Sequence, residues 1–122
     1  MLLIPTYAAA SAIQGVGLFA AAPVAAGQLI WRFDPLFDRI VPEADFALMP
    51  ETARAFIERY GYITPQIPGG WVVPLDNTRF INHSSDPNTD NTRPETYARR
   101  AIAAGEEITC DYSEFCEDFS LD

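Results

Sequence analysis

There is no lysine among the 122 residues. All 8 basic side chains are arginine, at positions 32, 39, 54, 59, 79, 93, 99 and 100, against 17 Asp and Glu, for a formal net charge of -9. A chain so short of positive charge argues against DNA or RNA as the main partner, because phosphate recognition needs clustered cations. Its field would steer a basic partner, although charge taken by itself says no more than solubility. Histidine is nearly absent too. His83 with Cys110 and Cys116 cannot compose a four-ligand zinc site of Cys and His from this chain alone, and free thiols of a reducing compartment are the default expectation. No run is long enough without Gly, Pro or charge to suggest a membrane span. Met1–Ala12 is apolar, yet no basic residue precedes Arg32 and Pro5 interrupts the run, so the positive region of a signal peptide is missing. A soluble cytoplasmic protein without membrane partners is expected.

With 48% hydrophobic and 20% charged residues, the chain is expected to fold as one domain over residues 1–122. Leu18-Phe19-Ala20 and Leu29–Phe33 are short apolar runs bounded by glycine turns, which is a strand signal. Val24-Ala25-Ala26-Gly27-Gln28-Leu29-Ile30 is echoed by Ile102-Ala103-Ala104-Gly105-Glu106-Glu107-Ile108, so the same turn is expected twice. Pro50 suits a first helical residue, and Ala53, Phe56, Ile57 and Tyr60 follow the spacing of a buried helix face up to Gly61. Pro42–Leu48 is expected to add a shorter helical turn. Strands return at Tyr62-Ile63, Trp71–Val73, Tyr97–Ile102 and Ile108–Tyr112. The expected class is α+β, mainly β, with one short helical insert.

Three segments carry the chemistry. Gly15-Val16-Gly17 is too short for a dinucleotide fingerprint and is not followed by a helical pattern. Arg79-Phe80-Ile81-Asn82-His83-Ser84-Ser85-Asp86-Pro87-Asn88 is a polar loop rich in local hydrogen-bonding options. No nucleophile is paired to its lone histidine at a recognisable spacing, which leaves nucleophilic catalysis without support. Gly105-Glu106-Glu107-Ile108-Thr109-Cys110-Asp111-Tyr112 reads as a turn and a strand ending in a tyrosine.

Together and in this order, the three segments resemble the SET domain family of protein lysine methyltransferases, from about Ala12 to Tyr112. The resemblance implies small β-sheets around a helical insert, here Met49–Tyr60, and a C-terminal pseudoknot. It implies S-adenosylmethionine on one face and a lysine of a basic protein or peptide entering a narrow channel from the other. Gly15, Val16 and Gly17 would let backbone approach the cofactor. Asn82 and the backbone of His83 would hold it, and Arg79 and Phe80 would support that loop and touch it. Tyr112 matches the catalytic tyrosine, orienting the lysine nitrogen while its ring walls the channel. Phe33, Tyr62 and Tyr97 are the other expected channel residues. Phe115, with Phe119, would close the cofactor or lysine pocket with aromatic surface. No metal is implied, and a nuclear location would suit a eukaryotic or viral source.

The chain also departs from the family pattern. Phe33-Asp34-Pro35 stands where the family usually has Tyr-x-Gly, and Ser85 replaces the usual Cys. The zinc-binding cysteines that follow many SET domains have no counterpart here. An alternative is therefore a SET scaffold that no longer methylates and serves as a protein-binding module. A homodimer in which a neighbour finishes the channel is a further reading. The acidic residues Glu114, Glu117, Asp118 and Asp122 are expected to be solvated, and in a SET protein could guide an Arg/Lys-rich peptide. With no lysine of its own, the chain offers no site for automethylation at lysine.

Overall fold

The repeated turn expected from the sequence forms twice, and its two copies meet. In the computed structural model, which describes residues 1–116, Gln28 N donates to Ala25 O at 3.1 Å and Glu106 N to Ala103 O at 3.0 Å. Gln28 Oε1 accepts from Ala25 N at 2.9 Å, and Glu106 Oε1 from Ala103 N at 3.0 Å. Gly27 and Gly105 take φ of 81° and 84°, the left-handed region that favours glycine. Val24 and Ile102, at the entrances of the two turns, form an antiparallel bridge.

Three small sheets surround the core. The first has the order β1 (Thr6–Ala10), β2 (Val16–Ala20), β10 (Glu107–Cys110), β7 (Asn82–His83). The second is β3 (Leu29–Trp31), β9 (Thr96–Ala98), β8 (Thr89–Asp90), and the third β4 (Arg39–Val41), β6 (Ile67–Val73), β5 (Tyr62–Thr64). Leu18, Ile30, Val72, Ile102 and Ile108 are fully buried between them. The mainly β architecture with a short helical insert matches expectation. The apolar start of the chain is accounted for as an edge strand, with Thr6–Ala10 paired to β2. Among the described residues, no helix is long and apolar enough to cross a membrane.

The insert comprises α1 (Glu43–Ala47) and α2 (Glu51–Tyr60). Pro50 sits one position earlier than expected, as the extended N-cap residue (φ -63°, ψ 156°) whose carbonyl accepts from Arg54 N. Of the anticipated helix face only Ile57 is buried, packing with Val41 and Val73; Phe56 remains 44% exposed. Phe56 instead rests on Tyr60, with ring centroids 5.0 Å apart. The far end of that face serves a cavity, not the core.

Strand β10 creates the threaded crossing. It runs antiparallel to β2 through Ile108↔Leu18 and parallel to β7 through Thr109↔Asn82 and Cys110↔His83. The chain leaving β7 then closes over it. Asn88, 2% exposed, accepts from Thr109 N at 2.9 Å and donates to Glu107 O at 2.8 Å, while Thr89 Oγ1 donates to Thr109 O at 2.6 Å. A buried amide satisfied at both ends fixes one register for the crossing. The threading places the residues on either side of it, Asn82 and Tyr112, beside each other.

Candidate functional site

Asn82 ties three distant segments together. Its Nδ2 lies 3.1 Å from Ser11 Oγ, 3.1 Å from Gln14 O and 2.9 Å from Glu107 Oε2. Ser11 Oγ donates in turn to the Glu107 carboxylate, 2.8 and 2.9 Å from its two oxygens. Gly17 is part of the same assembly. A Cβ on it would fall 2.5 Å from Glu107 Oε2 and 2.9 Å from Glu107 Cδ, so the strand needs glycine there to admit the carboxylate. Gly15 differs, with a φ of +50° and nothing within 4 Å of where a Cβ would stand. Glycine 17 serves an internal ion and glycine 15 borders open space.

That space is a cavity of about 400 Å³ among the described residues, with Gln14, Gly15, Val16, Phe80 and Asn82 in its lining. A narrower cavity of about 110 Å³ lies behind it, mainly apolar, with Trp31, Tyr62, Ile67, Thr96, Cys110 and Phe115 in its wall. Arg59, Tyr60, Arg79, Ile81 and Tyr112 line both. Among the described residues, the lining of the narrower cavity includes three arginines, Arg59, Arg79 and Arg93, and no Asp or Glu.

Tyr112 occupies the partition. Its hydroxyl donates to Ile81 O at 2.7 Å, and its backbone N donates to His83 Nδ1 at 3.1 Å. The imidazole lies 5.3 Å from the tyrosine ring and 3.9 Å from Asp111 Oδ1. Burial, reinforced by the nearby Cys110 and Cys116, pushes the Tyr112 phenol well above the ordinary tyrosine range, and Arg59 opposes this only in part. Tyr62 is shifted the same way, again chiefly by burial. Burial also raises the Cys116 thiol to about 11. Tyrosine and thiol alike are neutral near pH 7, and a phenol that directs its proton at a carbonyl has only acceptor capacity left.

Arg79 is held by aromatic rings. Its guanidinium carbon lies 5.0 Å from the Phe80 ring centroid, 5.8 Å from Tyr60 and 5.9 Å from Phe56. Its Nε is buried with no hydrogen-bond partner among the described residues, and the same is true of Trp31 Nε1. An unmet buried donor costs about 1–3 kcal/mol, so each marks a place where the described residues supply no acceptor.

The structure gathers most of the residues picked from the sequence. Gly15, Val16, Arg79, Phe80, Asn82 and Tyr112 share the larger cavity, and Tyr62 lies in the narrower one. Phe115 lines the narrower cavity only, because the 3₁₀ turn Tyr112–Glu114 folds it back to within 4.9 Å of Tyr62 and 6.0 Å of Tyr112. Gly17 and His83 line neither cavity and act through Glu107 and Tyr112. Phe33 packs against the main core, and Tyr97 pairs with Leu29 and Asp90 under the Arg93 guanidinium, so neither reaches a cavity wall. Phe119 and the acidic residues after Cys116 lie outside the described residues. Sequence reasoning missed Arg59, Tyr60, Trp31 and Glu107. The only signal for Tyr60 was an aromatic at the end of a helix facing a glycine, and core periodicity absorbed it.

Comparison with known proteins places this geometry. The profile of the SET domain family matches residues 15–113. No curated protein matches. Among solved structures, the chain is similar to a humanized mutant of the Chaetomium thermophilum Polycomb Repressive Complex 2 bound to the inhibitor GSK126, with a TM-score of 0.69 and 20% identity over 94% of this chain. It is equally similar to ctPRC2 in an autoinhibited conformation bound to S-adenosylmethionine, again at 0.69, 20% and 94%. The chain spans 16% of the length of each of those chains, and at that identity the likeness speaks to the fold alone.

Proposed function

The chain belongs to the SET domain family, matched over residues 15–113, and on that premise we propose that it is an S-adenosylmethionine-dependent methyltransferase acting on the side-chain amine of a lysine in a protein substrate. The observation that carries this reading is the partition at Tyr112, where a larger cavity bordered by the glycine segment meets a narrower apolar one.

The larger cavity fits the cofactor on three counts. Its volume of about 400 Å³ lies within the ~300–1,000 Å³ of small-molecule sites. Gly15 leaves backbone bare where a Cβ would intrude on the open space. Arg59 and Arg79 both line the cavity, and their guanidiniums are donors for a carboxylate such as the one on the cofactor's amino-acid end. Asn82 Oδ1 accepts no hydrogen bond from the described residues and suits an amino group.

Bound S-adenosylmethionine would supply a methyl group activated on a sulfonium sulfur, with the neutral thioether as the leaving group when an amine takes the methyl in line. The chain's own residues meet the remaining demands. A lysine must reach the partition without its proton. The apolar wall of Tyr62, Ile67 and Phe115 disfavours an ammonium by desolvation, and three arginines, with no Asp or Glu among the described lining residues, disfavour it by repulsion. Tyr112 stays protonated, held by Ile81 O and by the His83 imidazole at its backbone, so its oxygen orients the amine and does not remove the proton. Positioning of this kind supplies much of the acceleration in a reaction between two bound partners.

Calorimetric titration with S-adenosylmethionine tests the cofactor half of the proposal. Binding is expected, with Arg79→Gln weakening it about tenfold or more, as for a charge-assisted hydrogen bond. No binding at high cofactor concentration would overturn the enzyme reading.

A further inference from the structure

Net charge pointed to a basic partner, but the charge around the narrower cavity points elsewhere. Arg93 lines that cavity and not the larger one. It is exposed, its guanidinium carbon lies 3.7 Å from the Tyr97 ring centroid, and Pro94 follows it. A proline holds the residue before it in extended backbone, and the ring fixes the side chain, so the guanidinium is pre-organised at the rim. Its edge has no ion-pair partner among the described residues, although acids outnumber bases in the chain by 17 to 8. The two arginines further along the chain do have partners, Arg99 with Glu114 at 2.7 Å and Arg100 with Asp86 at 3.7 Å, whereas Arg59 and Arg79 in the same cavity have no ion pair among the described residues. The acid that senses Arg93, Asp90, is occupied within its own turn by Thr92 N and Oγ1, at 2.9 and 2.6 Å.

We propose that Arg93 is a specificity residue that reads a carboxylate next to the target lysine, so that the preferred substrates are lysines flanked by Asp or Glu and not the basic tails that net charge suggests. This rests on the methyltransferase reading above and names its substrate class. A planar guanidinium already stacked on a ring loses little freedom on pairing with a carboxylate, and its fork matches the two oxygens. Arg59 and Arg79, which line the same cavity, repel a second cation and favour a neutral amine.

The test compares peptides that differ only in Glu against Gln beside a single lysine, using labelled S-adenosylmethionine and the full chain. The expected preference is about two- to fivefold in kcat/KM for the Glu peptide, the upper range of an exposed ion pair, and it should shrink at high salt. Within the Arg93→Gln variant the ratio should fall close to one, and Arg93→Glu should invert it. Because the ratio is taken inside each variant, a general loss of activity does not disturb it. Equal rates on both peptides with the native chain would overturn the proposal while leaving methyl transfer intact. A raised KM for S-adenosylmethionine in Arg93→Gln with the peptide ratio unchanged would assign the guanidinium to the cofactor and likewise overturn it. Transfer to neither peptide nor to any other lysine would overturn the methyltransferase reading itself.

Discussion

Substituting Gly17 with alanine separates an internal reason for the glycine motif from a ligand-facing one. No left-handed φ is needed at Gly17, so alanine can adopt its backbone, and the obstacle is the Glu107 carboxylate 2.5 Å from the new methyl group. Either the methyl is overpacked, at about 1–3 kcal/mol, or the carboxylate moves and weakens its bonds to Ser11 and Asn82. Hydrogen bonds to a charged group are worth about 1.5–3 kcal/mol. Since moving the carboxylate relieves the clash, the two costs overlap, and Gly17→Ala should lose about 2–4 kcal/mol. Gly15→Ala meets no atoms, and its penalty is the backbone one of about 1–2 kcal/mol for a left-handed alanine. The decisive comparison is the double variant Gly17→Ala, Glu107→Ala. With the carboxylate gone, adding the methyl should cost little beyond contact with Ser11 Cβ at 3.1 Å, giving a coupling of at least about 1 kcal/mol between the two sites. Urea denaturation of the four proteins measures it. Additive losses, or a Gly17→Ala variant as stable as the native chain, would refute the reasoning.

Asn88→Ala should destabilise the fold by about 2–4 kcal/mol, because it leaves the backbone of Thr109 and Glu107 unmet inside the crossing; thermal unfolding reads this directly. The pH profile of methyl transfer should rise as the substrate amine loses its proton and show no downturn near the ordinary tyrosine value of 10.0, because Tyr112 is held protonated beyond it. A downturn there that vanishes in Tyr112→Phe would contradict the burial argument. Glu106 is held below its ordinary 4.5 by the Ala103 N–H and then by Asn88. Its contribution to stability is therefore complete above that value and is lost as pH falls through the depressed one. Glu106→Gln should flatten that acid limb of the stability curve, as followed by thermal melts.

Some of this was legible in the chain because it is local. The two Ala-Ala-Gly turns recur with the same internal hydrogen bonds, since glutamine and glutamate reach the same backbone N–H from the same position. The helix over 51–60 follows from Pro50, Gly61 and its periodicity. The Asn-His-Ser and Gly-Glu-Glu segments stand out since each packs several polar side chains into a few residues. What stayed hidden is tertiary. Gly17 is required by Glu107, far along the chain, and nothing at Gly17 announces it. Tyr60 satisfies a core pattern yet walls a cavity, since periodicity records which side of a helix is covered and not by what. Which of the two cavities Phe115 lines is set by a 3₁₀ turn that reverses the chain, and Tyr97 is covered by an arginine that the sequence places four residues earlier. Net charge is limited for the same reason: a sum over the chain does not describe the lining of one cavity.

The central claim is that the two cavities meet at Tyr112 so that a methyl group passes between them. Its most direct test follows labelled methyl from S-adenosylmethionine into a lysine-bearing peptide, with the modified residue located by mass spectrometry. The native chain should place the label on the lysine side-chain nitrogen, and Tyr112→Phe should slow transfer by about 10²-fold while still folding, as a mispositioned reacting group does. Absence of label, label on a residue other than lysine, or an unchanged rate in Tyr112→Phe would contradict the account.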